Sequence, residues 1–480
     1  MTKGRPREYS FVPRIVNPVK MTRAVLFAAD AELRQAKKTL EEQMPWLNAV
    51  SLSDPQSVAE ASAAEPSVFL FDDTGLAIVD ADRIRSRQKN AILVLLSFQP
   101  FIQCSPPQAA GQRFPYTNKA DLVFAVNREE LAPSRILPSV VQAAEDRLNI
   151  ERASGVRRFI FHLVDDKPRW FSQFLPLLYK IIGQRAAVMI SRTYEESLRF
   201  LFGAEETRPI DEGNYLAHGH GDDVVCLIAD IFFPKGKDLQ SRAGQDLIRL
   251  VNRYYPRIPV IIASKTKEAQ ELKDLGFILP KGDPDSLGKL RDFILNFTGL
   301  GDFLITDEEG KGLYRLKDIR GICKVLGEAE KDTPQGLRLR GILESYGEKD
   351  RFSTWLYMHG HRDLGDRLRP RKGRGRQLVT LLKRNLRTEM RRMAQTPLLL
   401  GGQRIFTLVD LRASLETLDP EEIQPYSDHD IVSSWLDFQG YPELAEELRP
   451  IHGSGPNLKQ TLLQVIDQWA RAYQHGQNGV

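Results

Sequence analysis

The apolar run from Val224 to Ala229, closed by the single carboxylate of Asp230, most constrains what this chain can fold into. Six consecutive apolar residues leave no face for water, so the strand they form must be covered on both sides. Parallel sheets with helices on each face meet that demand. In such an open sheet, reactive groups gather beyond the carboxyl ends of the strands. Asp230 stands at one of those ends, on a rigid support.

Similar runs recur along the chain. A first region has them at 24–30, 67–73, 91–97 and 121–126; a second has them at 158–166, 186–191, 258–264 and 277–279. Between them lie stretches with helical spacing, such as Leu33, Ala36 and Leu40. Strand and helix alternating in this way predict two tandem α/β domains with doubly wound parallel sheets, over 21–154 and 155–300, after a flexible basic tail at 1–20.

Bulk properties bound the function classes. A chain of 480 residues with 42% hydrophobic and 27% charged residues has room for two to four domains with sizeable cores. The net charge of +4 gives no global signal for nucleic acid or membrane. Three cysteines (Cys104, Cys226 and Cys323) stand far apart without a CxxC pair, which fits a reducing compartment. No apolar run reaches the ~18 residues that a bilayer span needs, and the basic N-terminus lacks the apolar core of a signal peptide. A cytoplasmic protein without a membrane partner is the expectation.

Beyond Gly301 the strand runs thin out and the pattern becomes helical, with an internal repeat at an offset of 80 residues. Twelve identities align, among them Ser353/Ser433, Trp355/Trp435, Gly360/Gly440, Leu364/Leu444 and Leu368/Leu448. Two copies of a helical module are therefore expected, over 301–395 and 396–480, each read as helix, tight turn, helix. Gly440 ends one helix, Pro442 starts the next and Pro450 stops it. The tryptophans read as core packing.

Chemistry concentrates in the second α/β region. Asp165 and Asp166 follow its first strand, Asp230 its third, Ser264 its fourth and Lys281 its fifth. With one consistent winding, all these ends share one edge of the sheet. Three carboxylates make a hard-oxygen site suited to Mg2+. Asp230 could then attack phosphorus to form an acyl phosphate, while Ser264 donates a hydrogen bond to a phosphoryl oxygen and Lys281 pairs with another.

This set, an acid pair, a lone Asp, a Ser and a Lys in that order on successive strand ends, resembles the receiver domain of bacterial two-component response regulators over residues 156–300. The resemblance implies a flavodoxin-like fold, Asp230 as phosphoacceptor, and a histidine kinase or phosphotransfer protein as donor. The chain departs from the pattern at two places. Ile278, beside Phe277, holds the position of the usual aromatic switch residue, and Lys281 is followed by Gly282 and preceded by Pro280. The first α/β region looks like a degenerate copy, a pseudo-receiver. It has Ala28 and Ala29 with Asp30 displaced, Asp72 or Asp73 at the acceptor position, Ser97 at the hydroxyl, and Asn127 or Arg128 in place of the lysine.

The segment from Phe352, Ser353, Thr354, Trp355 and Leu356 to Leu368–Lys372 is similar to the region that follows the receiver in response-regulator-like proteins fused to phosphoenolpyruvate synthase-like domains. That similarity implies an output partner of the phosphoenolpyruvate synthase type; the catalytic part itself is not in this sequence. Expected, then, is a signalling phosphoprotein rather than an enzyme, switching protein contacts or self-association as a homodimer. Two rival readings stand beside it: a receiver-fold scaffold that is never phosphorylated, and a nucleic-acid effector using the basic run Arg367–Arg392. That run holds eleven Lys or Arg but no interleaved stacking aromatics, so a solvated helical face is favoured over nucleic acid. His218 with His220, and His359 with His361, are imidazole pairs too sparse in further ligands for a metal site.

Overall fold

The computed structural model describes residues 18–61, 66–99, 101–104, 115–129, 131–152, 159–183, 185–203, 219–238, 241–265, 267–369 and 374–477. The expected basic tail lies almost wholly outside them, as does His218. The chain divides into two compact units. One comprises the described residues up to Lys180 together with Ala186–Arg291; the other comprises Ile181–Arg185 and the chain from Asp292 onward. No described helix is long and apolar enough to cross a membrane.

Among the described residues, the first unit holds two parallel five-stranded sheets. The first has β1 (Arg23–Phe27), β2 (Asn48–Ser51), β3 (Ser67–Phe71), β4 (Ala91–Ser97) and β5 (Leu122–Ala125), in the order β2-β1-β3-β4-β5. The second has β6 (Ile160–Val164), β7 (Ala187–Ser191), β8 (Val224–Ala229), β9 (Val260–Ser264) and β10 (Phe277–Pro280), in the order β10-β9-β8-β6-β7. Counted within each sheet, both orders read 2-1-3-4-5, with the winding reversed between the first and third strands. Every residue of β4 and of β8 is buried, as their unbroken apolar runs require. β2 is a strand that apolar periodicity did not reveal. At the sheet edge it buries only Ala49, and polar Asn48 and Ser51 face solvent, which suits an edge but hides it from a hydrophobic search.

The two sheets are tied through buried polar contacts within this unit. Asp146, on the helix Pro133–Arg152, accepts from the Tyr179 hydroxyl and from the Val188 backbone N–H, both at 2.8 Å. Ser172 Oγ accepts from the Ala125 N–H at 3.0 Å, and Phe124 meets Phe171 edge to face.

The second unit is largely helical and runs through one element order twice, with more in each pass than the expected helix, tight turn and helix. Each copy opens with an antiparallel hairpin that the sequence did not disclose: β11 (Phe303–Thr306) with β12 (Gly312–Leu316), and β13 (Leu398–Leu400) with β14 (Gln403–Ile405). Among the described residues, five helices follow in each copy. The helix-turn-helix of the repeat is the third and fourth, Arg351–Met358 with Arg362–Leu368, and Ile431–Phe438 with Pro442–Leu448. Gly360 and Gly440 make the matching turns at φ 78° and 94°, where a side chain would be strained. Asp350 and Asp430, eighty positions apart, are the non-glycine residues with positive φ among those described. Trp355 and Trp435 are buried, with their indole N–H groups on Gly301 O and Thr396 O at 3.0 and 3.1 Å.

Across the seam between copies, His359 Nδ1 and His452 Nε2 lie 2.6 and 3.0 Å from the buried carboxylate of Asp430. Both imidazoles hold that carboxyl well below the ordinary range, although burial alone would raise it. His359 therefore acts as an internal partner of Asp430, and His361 is buried beside Phe438.

Candidate functional site

The crevice where the second sheet reverses its winding lies between β6 and β8, and their carboxyl ends deliver the three aspartates. After Val164 the chain is still laddered, with the Asp165 N–H on Ser191 O at 3.1 Å. It then turns: Asp165 Oδ1 accepts from the Lys167 N–H at 2.9 Å, and Pro168 begins the helix Pro168–Ile182. Asp230 is fixed by its own N–H on Val164 O at 2.9 Å and by the Ile231 N–H on its Oδ1 at 2.7 Å. One oxygen from each of Asp165, Asp166 and Asp230 lies within 4.8 Å of the others, and this is the one such group of potential metal ligands among the described residues.

Lys281, anchored through its N–H on Ser264 O at 3.0 Å, sends its ammonium into this cluster. It pairs with Asp165 Oδ2 and lies 2.8 Å from Asp230 Oδ2, with its side chain 1% exposed. Burial lowers the affinity of Lys281 for its proton, but the two aspartates outweigh that and raise it, so the residue stays charged. Burial pushes the Asp165 carboxyl up to about 6 against the pull of Lys281, and pushes Asp166 up to about 7 with help from the Asp165 charge. Asp166 Oδ1 is buried with no hydrogen-bond partner among the described residues; the nearest ammonium, Lys167, stands 4.0 Å away. A buried carboxylate oxygen left without a partner is costly, and a hard divalent cation would relieve it. The donor set thus fits Mg2+, with Asp165, Asp166 and Asp230 as the residues to hold it.

Ser264 closes β9 at the same edge and is buried, so all five residues read from the sequence lie at one end of one sheet. Three further residues were not foreseen. A Cβ on Gly244 would meet Asp230 O at 1.9 Å, so the helix Ala243–Tyr254 can begin directly behind the carboxylate only because that position has no side chain. Trp170 spreads its ring 5.8 Å from the Lys281 ammonium and 4.4 Å from that of Lys265. Gln103, from the segment after β4 of the first sheet, donates its side-chain amide to Asp166 Oδ2. Gln103 had no sequence signal: an isolated amide in a proline-rich loop belongs to no pattern.

The matching crevice of the first sheet consumes its own acids. Asp72 accepts from the Asp30 N–H at 2.8 Å and from the Gly75 N–H at 2.7 Å. Asp30 caps the helix Ala31–Gln35 and pairs with Arg128. Asp73 accepts from the hydroxyls of Ser97 and Tyr116 at 2.7 and 2.9 Å. Asn127 lies in a local bridge with Leu131.

Elsewhere, His220 stacks on Phe200 with centroids 5.1 Å apart. The basic run is partly spent on internal pairs: Arg367 and Arg392 on Glu389, Lys383 on Glu330, and Arg376 on Asp332. Arg371 and Lys372 lie outside the described residues. The three cysteines are buried free thiols.

No family model and no curated protein matches the chain. Among solved structures it is similar to a putative two-component system response regulator/GGDEF domain protein at 13% identity, covering 56% of this chain and 96% of that one with a TM-score of 0.25. It is also similar to full-length ShkA in complex with AMPPNP, at 17% identity over 57% of this chain and 50% of that one, TM-score 0.18. NtrX from Brucella abortus in complex with ADP aligns over 93% of this chain and 99% of its own at 14% identity, TM-score 0.19.

Proposed function

We propose that this chain is a response-regulator-type signalling protein whose second sheet is a receiver and whose Asp230 accepts a phosphoryl group. The observation that carries the reading is the convergence of Asp165, Asp166, Asp230 and Lys281 at the winding reversal, with a buried Asp166 oxygen left unsatisfied. Mg2+ bound by the three aspartates would neutralise phosphoryl charge.

This chain's residues do the rest. A carboxylate oxygen of Asp230 attacks phosphorus and forms the O–P bond of an acyl phosphate. The P–N bond of a donor phosphohistidine breaks, its electron pair returning to the ring nitrogen, which takes up a proton. Lys281, which holds Asp230 Oδ2 in the resting state, passes to an oxygen of the new phosphoryl group. Ser264, carried at the end of the neighbouring strand, donates to another. A histidine kinase or phosphotransfer protein is the donor in this reading, and the first sheet, its acids spent internally, takes no phosphoryl group. The duplicated helical unit is the output side, meeting a phosphoenolpyruvate synthase-like partner or a second copy of the chain.

The test is incubation with acetyl phosphate and Mg2+ followed by intact-mass measurement. Wild type should gain one phosphoryl group that Asp230→Asn does not. No gain, or an equal gain on the variant, removes the proposal and leaves the scaffold reading.

A further inference from the structure

The segment Phe101–Cys104 leaves the first sheet after β4 and lies directly on the acid site of the second. It is anchored there rather than merely passing. The Cys104 N–H donates to the backbone oxygen of Asp166 at 2.9 Å, and the buried Cys104 thiol meets the Arg192 guanidinium, which is paired with Glu196. With Cys104 held by its backbone N–H and by its thiol, the adjacent Gln103 amide falls on Asp166 Oδ2. Asp166 then has one oxygen engaged by a donor from the first sheet and one, Oδ1, buried without a hydrogen-bond partner among the described residues, with the Lys167 ammonium 4.0 Å away.

We infer that Gln103 is a positioning residue of the second sheet's metal site: it clamps Oδ2 of Asp166 so that Oδ1 stays fixed and available as the ligand atom. The inference rests on the proposed Mg2+ site and deepens it by making that site depend on both sheets. Carboxylates that bind metals are commonly held by such outer partners, and removing one weakens affinity by roughly 10–100-fold. A carboxylate free to rotate must be ordered again at each binding event. The first sheet, its own crevice acids spent on internal contacts, would thereby keep a stake in the chemistry of its neighbour.

The experiment uses the full chain and Mn2+ alone as probe, following the EPR signal of the free ion. Gln103→Met keeps the length and volume of the side chain but removes the donor; Gln103→Ala removes both. Both variants should bind Mn2+ about tenfold more weakly than wild type, at the low end of the range for lost outer partners. Weakening in Gln103→Ala alone would make the residue a space filler and overturn the inference. Tighter or unchanged binding in both would overturn it too, the former marking Gln103 as an obstruction. If wild type itself takes no Mn2+, the metal reading fails and this inference falls with it, a result distinct from the others.

Discussion

The Lys281 ammonium lies 2.8 Å from Oδ2 of Asp230, so the proposed phosphoacceptor rests against a buried cation supplied by a strand two places away in the sheet. The same ammonium also pairs with Asp165, which makes it the internal countercharge of the cluster.

Removing that countercharge should be expensive. Lys281→Met leaves Asp165 and Asp230 buried beside Asp166 without compensation, and breaking a buried pair in this way costs about 3–5 kcal/mol. Urea unfolding should show a lower midpoint, with part of the loss recovered on adding Mg2+ by mass action. An unchanged midpoint would mean that the cluster is better solvated than its burial implies.

Gly244→Ala puts a methyl group where only 1.9 Å separates it from Asp230 O, so either the helix start or the acceptor loop must move. Overpacking of this kind costs about 1–3 kcal/mol. The expected result is a lowered melting temperature together with impaired phosphoryl uptake. Wild-type uptake in a destabilised variant would show that the helix, not Asp230, gives way.

Asp430→Ala should destabilise the helical unit by roughly 2–3 kcal/mol, since it strips His359 and His452 of a charged hydrogen-bond partner. Asp430→Gly loses the same contacts but is at ease at φ 55°, so it should be about 1 kcal/mol less harmful. Equal losses in the two variants would deny any strain at that turn.

His162 gives a pH dependence with a definite sign. Burial lowers its pKa from 6.5 to about 3, so the folded protein keeps the ring neutral while the unfolded chain protonates it. Its contribution is fully present above 6.5 and is lost as pH falls from there toward 3. Glu145, pushed up to about 7, works in the opposite sense, so the comparison must be with a variant. Relative to His162→Gln, wild type should lose about 2 kcal/mol of stability between about pH 7 and about pH 5. A pH-independent difference would show that the ring is protonated in place.

What the sequence made legible follows from how strongly each feature marks its residues. β8 could be read because six apolar residues in succession have few other homes, and Asp230 because it stops that run. Lys281 and Ser264 could be placed because strand ends in a parallel sheet share an edge. β2, β12 and β14 were invisible because they are short and largely exposed. β11 and β13 are apolar but only four and three residues long, too short to stand out from a helical background. Asp350 and Asp430 lie just before the aligned repeat, and nothing in an aspartate announces a left-handed backbone. Gln103 and Gly244 matter through tertiary approach, which one-dimensional patterns do not encode.

Asp146 carries a consequence for what counts as a part of this molecule. Its carboxylate, on a helix of the first sheet, satisfies the outward N–H of Val188 on the edge strand β7 of the second. Ancestry and cooperativity then draw different boundaries. Two similar sheets in tandem suggest modules that could be cut apart, but severing them would leave a peptide group unmatched on one fragment and a carboxylate unmatched on the other. An isolated second sheet is a new object with a frayed border, and its behaviour would report the cut as much as the protein.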